Sequence, residues 1–230
     1  MTRQRPKRRR VVLWTAVVLA LAATVFFIVR SAAPPPQTPA PKRSTVPTGN
    51  TAEQLAVAPT DRVKGNPNAT VTLVEYSDFQ CPACGSYYPI VQRVVQDFGD
   101  RIRFVYRHYP LVNLHANAHL AARAAEAAGR QGKFWEMHDR LFEQQGEWAE
   151  KTDARARFIG FAKDLGLVAM QFEADLDAPE VKEAVAAGLN SGFLLAVPGT
   201  PTFFLAGVPI ENPKSYDEFR TVILQAIGRP

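Results

Sequence analysis

The sequence predicts an α/β domain, a mixed β-sheet with helices packed around it, carried behind one N-terminal transmembrane helix. Three observations predict it. Short β-rich runs stand at 71–76, 102–107, 202–205 and 208–210. A long block of helical character separates the second run from the third. Near the start, Val11 to Val29 forms an unbroken stretch of nineteen apolar or small residues.

The N-terminus reads Arg8-Arg9-Arg10, then the apolar stretch, then Arg30. Nineteen residues rising about 1.5 Å each span roughly 28 Å, the hydrocarbon thickness of a bilayer. Positive charge before the stretch places the N-terminus in the cytoplasm and everything after Arg30 outside it. Trp14 suits the interfacial aromatic belt. A cleaved signal peptide is the rival reading, since Ser31-Ala32-Ala33 offers the small residues of a cleavage site. The length of the stretch, and Pro34 directly after that site, favour an uncleaved anchor; either way the domain is exported. Pro, Thr, Ala and Gln dominate the next thirty residues, which read as an extended tether without a core. The chain thus divides into a basic cytoplasmic tail 1–10, a transmembrane anchor 11–29, a Pro-rich linker 30–60 and a globular domain 61–230.

Within that domain, Val71 to Tyr76 reads as a central strand. Cys81 to Phe98 has helical periodicity, with Tyr88, Val91, Val94, Val95 and Phe98 along one side, and stops at Gly99. Ile102 to Arg107 is the second strand. Helices follow over Leu114 to Leu176, among them Ala118–Ala128, Phe134–Phe142 and Ala154–Leu165, and one more runs from Pro179 to Leu195. Thr202–Leu205 and Val208–Ile210 form a hairpin around Ala206-Gly207, and Ser215 to Ile227 closes the chain as a helix. The opening strand–helix–strand implies a parallel pair, and the late hairpin adds antiparallel strands.

Charge and cysteine usage narrow the function. The net charge of +5 resides in the tail and tether: residues 61–230 hold 18 basic and 21 acidic side chains. A domain with that balance has no means of gripping a phosphate backbone, so nucleic acid is not an expected partner. The chain has two cysteines, Cys81 and Cys84. A secreted domain stapled by disulfides normally shows several spaced pairs. One close pair suits a protein that handles the thiols of others.

Position gives Cys81-Pro82-Ala83-Cys84 its chemistry. The four residues fall where a strand has ended and a helix begins, among unpaired N–H groups at the positive end of the helix dipole. A sulfur held there favours the thiolate, which is the species that attacks disulfides. Pro82 fits the first helical turn, where its missing N–H costs nothing. Cys81 is therefore expected to be the exposed thiol that forms a mixed disulfide, and Cys84, one turn in, the less exposed resolving thiol. Two other readings compete. A structural staple closing four residues contributes only about 2 kcal/mol in the loop-entropy model. A zinc site with His115 and His119 has thirty residues between Cys84 and His115, against about 12–15 in finger motifs. No metal is expected, and His108, His115, His119 and His138 are read as surface or packing residues.

The run from Val74 to Cys84, Val-Glu-Tyr-Ser-Asp-Phe-Gln-Cys-Pro-Ala-Cys, resembles the active-site segment of the DsbA-like thioredoxin-fold oxidoreductases. Pro89 lies where that family kinks its active-site helix, Gly199-Thr200-Pro201-Thr202-Phe203-Phe204 resembles its cis-proline loop, and Phe134 to Phe142 resembles a helix of its inserted helical domain. The resemblance implies a thioredoxin fold with a helical insertion over about 112–195. It implies a cis peptide bond before Pro201, with the Thr200 backbone pairing an incoming peptide strand. It implies that Glu75 is a buried acid assisting proton transfer at Cys84, against the alternative of an edge-of-sheet carboxylate pointing to water. It implies no cofactor beyond the Cys81–Cys84 disulfide. One departure stands out: the strongest oxidants of the family have histidine where this chain has Ala83, which supplies neither charge nor donor.

The expected function is disulfide introduction into reduced or unfolded exported proteins, with a membrane redox partner reoxidising the pair. The reverse flow, a membrane-anchored reductase or isomerase serving cytochrome or metal-site maturation, is the alternative. A non-catalytic, tethered peptide-binding module is the alternative of another class.

Overall fold

The computed structural model describes residues 51–228. The basic tail and the expected anchor at 11–29 lie outside the described residues. Among the described residues no helix is long and apolar enough to cross a membrane.

The central strand forms where alternation gives way to nearly continuous burial. β2 (Val71–Ser77) buries every residue except the half-buried Thr72, as a strand covered on both faces must. It pairs in parallel with β3 (Ile102–His108), and α2 (Pro82–Phe98) makes the crossover. β1 (Arg62–Gly65) runs antiparallel along the outer side of β3, while β4 (Thr202–Leu205) and β5 (Val208–Ile210) continue antiparallel beyond β2. The sheet order is β1-β3-β2-β4-β5. This is the mixed sheet that the sequence predicts.

Strand pleat then sorts the core. Leu73, Phe104 and Tyr106 face α2, whose Val91, Val94 and Phe98 are buried against them. The opposite face carries Val74, Tyr76 and Val105, covered by Leu195, Val197 and Tyr109. α8 (Pro179–Leu194) lies on that second face and reaches it through two glycines. A Cβ on Gly188 would sit 2.6 Å from the His108 carbonyl oxygen, and one on Gly192 would sit 2.5 Å from the Tyr109 ring.

The helices between β3 and β4 are α3 (Ala118–Gly129), α4 (Phe134–Glu143), α5 (Gln145–Trp148), α6 (Ala154–Asp164), α7 (Ala169–Asp175) and α8. They bury Phe134, Met137, Leu141, Trp148, Phe158 and Phe172 in one core with the α2 face of the sheet. A polar triad, largely buried, fastens them to the sheet. Glu126 of α3 accepts from Arg62 of β1 (Nε at 3.1 Å) and faces His108 Nε2 of β3 at 2.9 Å.

The folded part begins earlier than the boundary at residue 60 expected from composition. Thr51–Leu55 forms a short helix, α1, and Leu55 is buried. Arg107 explains it: this cation on β3 is held by Asp61 at 2.8 Å and by Tyr76 OH at 2.9 Å, and it donates to the carbonyls of Gln54 and Ala56. Five residues without apolar periodicity are thereby folded by a partner that lies about fifty residues away in sequence.

Candidate active site

Four residues turn the chain from the end of β2 into α2, and Asp78 makes the turn. Its Oδ1 accepts the Gln80 N–H at 2.8 Å, and its carbonyl accepts the Cys81 N–H at 3.1 Å. Its Oδ2 accepts the Leu111 N–H at 2.9 Å and faces His115 Nδ1 at 2.7 Å. Gln80 secures the other side: its Oε1 accepts the Asn117 N–H at 2.7 Å, and its Nε2 donates to the Ala149 carbonyl at 2.6 Å. The turn is thereby pinned on both flanks. Cys81 is left in extended backbone (φ −67°, ψ 122°) as the N-cap of α2, with Pro82 as the first helical residue.

The two sulfurs differ sharply in surroundings. Both are free thiols. Cys84 is wholly buried, and Cys81 retains 7% of its surface. Cys81 was expected to be exposed, and this needs correcting: the loop before β4 closes over it. In that loop the Thr200–Pro201 peptide is cis, and the Thr200 carbonyl accepts an S–H contact from Cys81 at 3.4 Å. Pro82 and Ala83 are exposed beside the sulfur and form its outer rim.

Ionisation follows these surroundings. The Cys84 thiol donates toward the Cys81 sulfur and outweighs the cost of burial; the Cys84 N–H, the Thr200 side chain and the Ala83 N–H add to it. Together they lower the Cys81 pKa to about 5. Cys84 moves the other way, raised by burial, by its bond to Cys81 and by the charges of Cys81 and Glu75. At neutral pH one sulfur is a thiolate and its neighbour keeps its proton.

Glu75 lies two residues before the end of β2, opposite Tyr106 on one side and Phe203 on the other. It is therefore central in the sheet, not at its edge, and only 3% exposed. Burial raises its pKa to about 7, against a smaller lowering by Ser77. Glu75, Ser77 and Tyr106 share one sheet face, and neither Ser77 Oγ nor Tyr106 OH has a well-formed hydrogen bond. Behind Glu75 lies a cavity of about 20 Å³, walled by Tyr88, Gln92, Phe142 and the His138–Asp139 pair. That is room for a single water molecule.

The predicted site residues thus converge: Cys81, Cys84, Pro82 and Ala83 on α2, Glu75 beneath, and Thr200-Pro201 in front. His115 belongs to the turn through Asp78, while His108 and His138 are buried among aromatic rings. Among the described residues no cluster of His, Cys, Asp and Glu is arranged to hold a metal ion. The sequence reading missed Asp78, Gln80 and Gln145. Asp78 carried a signal, since an Asp two residues before a turning N–H is the pattern of an Asx-turn. The partners of the two glutamines lie in distant segments.

A parallel pair joined by α2, a hairpin on the far side, and paired thiols at a helix start facing a cis-proline define a thioredoxin-fold oxidoreductase. A family model described as Thioredoxin matches residues 57–225. The chain belongs to that thioredoxin family. Among solved structures it is similar to a thioredoxin-like oxidoreductase from Silicibacter pomeroyi, 29% identical, TM-score 0.64, over 75% of this chain and 95% of that one. BdbD from Bacillus subtilis matches with TM-score 0.65 at 24% identity, covering 74% and 94%. Wolbachia pipientis alpha-DsbA1 matches with TM-score 0.68 at 18% identity, covering 78% and 96%; at that identity the likeness is one of fold. Among curated proteins, the Na(+)/H(+) antiporter NhaA 1 of Salinispora arenicola is 44% identical over 64% of this chain and 22% of its own length. NhaA 3 of Salinispora tropica is 37% identical over 73% and 25%. The chain spans about a quarter of the length of these curated relatives.

Proposed function

We propose that this protein introduces disulfide bonds into reduced or unfolded exported proteins by exchange through Cys81 and Cys84. In the oxidised protein, a client thiolate attacks the Cys81 sulfur; the Cys81–Cys84 bond breaks, and Cys84 leaves with the electron pair. Glu75, protonated below about pH 7, delivers a proton to that departing sulfur. A second client thiolate then attacks the client sulfur of the mixed disulfide, and Cys81 leaves as thiolate. The client gains one disulfide, and the protein holds two thiols. A membrane redox partner that accepts two electrons restores the pair. The carbonyl of Thr200, beside the cis-proline, aligns the client segment as a short added strand.

The observation that carries this reading is the placement of two unequal sulfurs at the start of α2, Cys81 at the N-cap against the cis Thr200–Pro201 loop and Cys84 wholly buried behind it. Stabilising the reduced form through a thiolate makes the disulfide the stronger oxidant. Ala83 favours the alternative, because its side chain adds no donor to the thiolate and so moderates that drive; a reductase or isomerase is the second reading. The reduction potential decides between them. A value near −120 mV supports the oxidase, and one near −270 mV overturns it. Trapping tests the exchange itself. Cys84→Ala is expected to accumulate covalent adducts through Cys81, and these adducts name the clients and the redox partner. A non-catalytic peptide-binding module predicts instead that Cys81→Ser leaves activity intact.

For residues 1–50 we propose a single-pass anchor at 11–29 with a cytoplasmic N-terminus, which holds the catalytic domain on the extracytoplasmic face. Carbonate-resistant membrane association, lost on deletion of 11–29, is the expected result. Ion transport is not proposed from the antiporter relatives, since the likeness covers only 22–25% of them.

A further inference from the structure

α2 begins without a well-formed side-chain cap: its N-cap is Cys81, whose side chain makes no capping hydrogen bond. Its start is held from outside instead. Gln145, the first residue of α5, extends its amide over the active-site turn. Its Nε2 donates to the Phe79 carbonyl at 2.6 Å and to the Cys81 carbonyl at 3.0 Å. The Cys81 carbonyl is also the acceptor of the first helical bond, from Gly85 N–H at 3.1 Å. One side chain thus uses both of its N–H donors on the two backbone groups that set where the Cys81 sulfur stands.

Gly85 supplies the second, independent observation. A glycine inside a helix destabilises it by roughly 1 kcal/mol relative to alanine. Here a Cβ at position 85 would lie 2.7 Å from Gln145 Oε1 and 3.2 Å from its Nε2. The missing methyl is the space in which the Gln145 amide lies.

We propose that Gln145 is a positioning residue for Cys81, so that the helical insertion itself sets the acidity of the reactive thiol; the inference rests on the exchange reading above. The thiolate depends first on the Cys84 thiol and then on the N–H groups of Cys84 and Ala83, and these donors address the sulfur only while the turn keeps its N-cap geometry. Gln145 anchors the carbonyls of that turn on the side away from the sulfur. Without it the turn relaxes, the N–H groups diverge, and the thiol becomes less acidic.

The test is alkylation of Cys81 by iodoacetamide in the reduced full-length chain, across about pH 4–9. Gln145→Ala is expected to slow the reaction about five-fold below the wild-type midpoint. Above pH about 8 it is expected to match or exceed wild type, because a thiolate of higher pKa is the better nucleophile. Crossing profiles of this kind report a shifted ionisation and are not produced by general damage. Gln145→Glu, whose carboxylate would face two carbonyl oxygens, is expected to shift the profile further. Gly85→Ala is expected to mimic Gln145→Ala and to add nothing when combined with it. Near-UV circular dichroism verifies folding of each variant. Superimposed profiles in folded Gln145 variants, or additive effects in the double variant, overturn the inference. A wild-type Cys81 no more reactive than a free cysteine would instead sink the exchange reading.

Discussion

Glu75 shows how a single carboxyl becomes useful by being placed badly for solvation. In the middle of a sheet it meets no cation among the partners described, and burial alone lifts its pKa from 4.5 to about 7. Between those values the folded protein binds a proton that the unfolded chain has released. Stability conferred on this account is complete below about pH 4.5 and is lost as the pH rises to about 7, an effect of about 3 kcal/mol. Cys81 acts in the opposite sense: its folded pKa of about 5 lies below the usual 9, so it adds stability as the pH rises across that window. The two overlap between about pH 5 and 7. Urea unfolding in a Cys81→Ser background removes the opposing thiol, and the Glu75 contribution to stability is expected to fall with pH. Glu75→Gln in that background is expected to flatten the decline. Equal pH slopes with and without Glu75 would refute the assignment of its proton.

At the scale of elements, helices were legible where each buries one face with a helical period, and β2 and β3 because they are continuous β-rich runs, buried on both faces. The β4–β5 hairpin falls where its turn residues place it, and the helical block, expected from Leu114 to Leu195, runs from Ala118 to Leu194. β1 was not legible: Val63 is its one apolar side chain, and the strand exists because β3 offers it an edge. α1 was hidden by the composition of the tether and by its dependence on Arg107. The site was legible where chemistry sits in local sequence, at Cys81, Cys84, Glu75 and Thr200-Pro201. It was illegible where it depends on side chains from the insertion, as at Gln145. The seating of α8 was equally silent, because two glycines four residues apart announce nothing by themselves. Their close approach to β3 predicts the cost of filling them. Gly188→Ala is expected to destabilise the fold by about 1–3 kcal/mol through overpacking, although alanine favours a helix. A urea midpoint equal to or above that of wild type would contradict this.

At the scale of the molecule, the insertion and the sheet share one hydrophobic core, and two polar junctions tie them as well. One is the turn carrying Cys81. The other is the triad Arg62–Glu126–His108, which links β1, α3 and β3, with Glu126 and His108 buried and Arg62 half-buried. The two basic partners hold the Glu126 carboxylate below its usual pKa despite burial. Removing the carboxylate leaves Arg62 and His108 without their shared acceptor. Glu126→Ala is therefore expected to lose about 3–5 kcal/mol of stability, and Glu126→Gln less, read by chemical denaturation at neutral pH. A loss below about 1 kcal/mol would show that water replaces the acid.

The outer strands of the sheet carry a further consequence. β1 is four residues long and β5 three, with Pro209 in the middle of β5, paired to Phe204. Short rims and a proline leave little open ladder on either flank. The rims of the sheet are therefore poor templates for a strand from another chain.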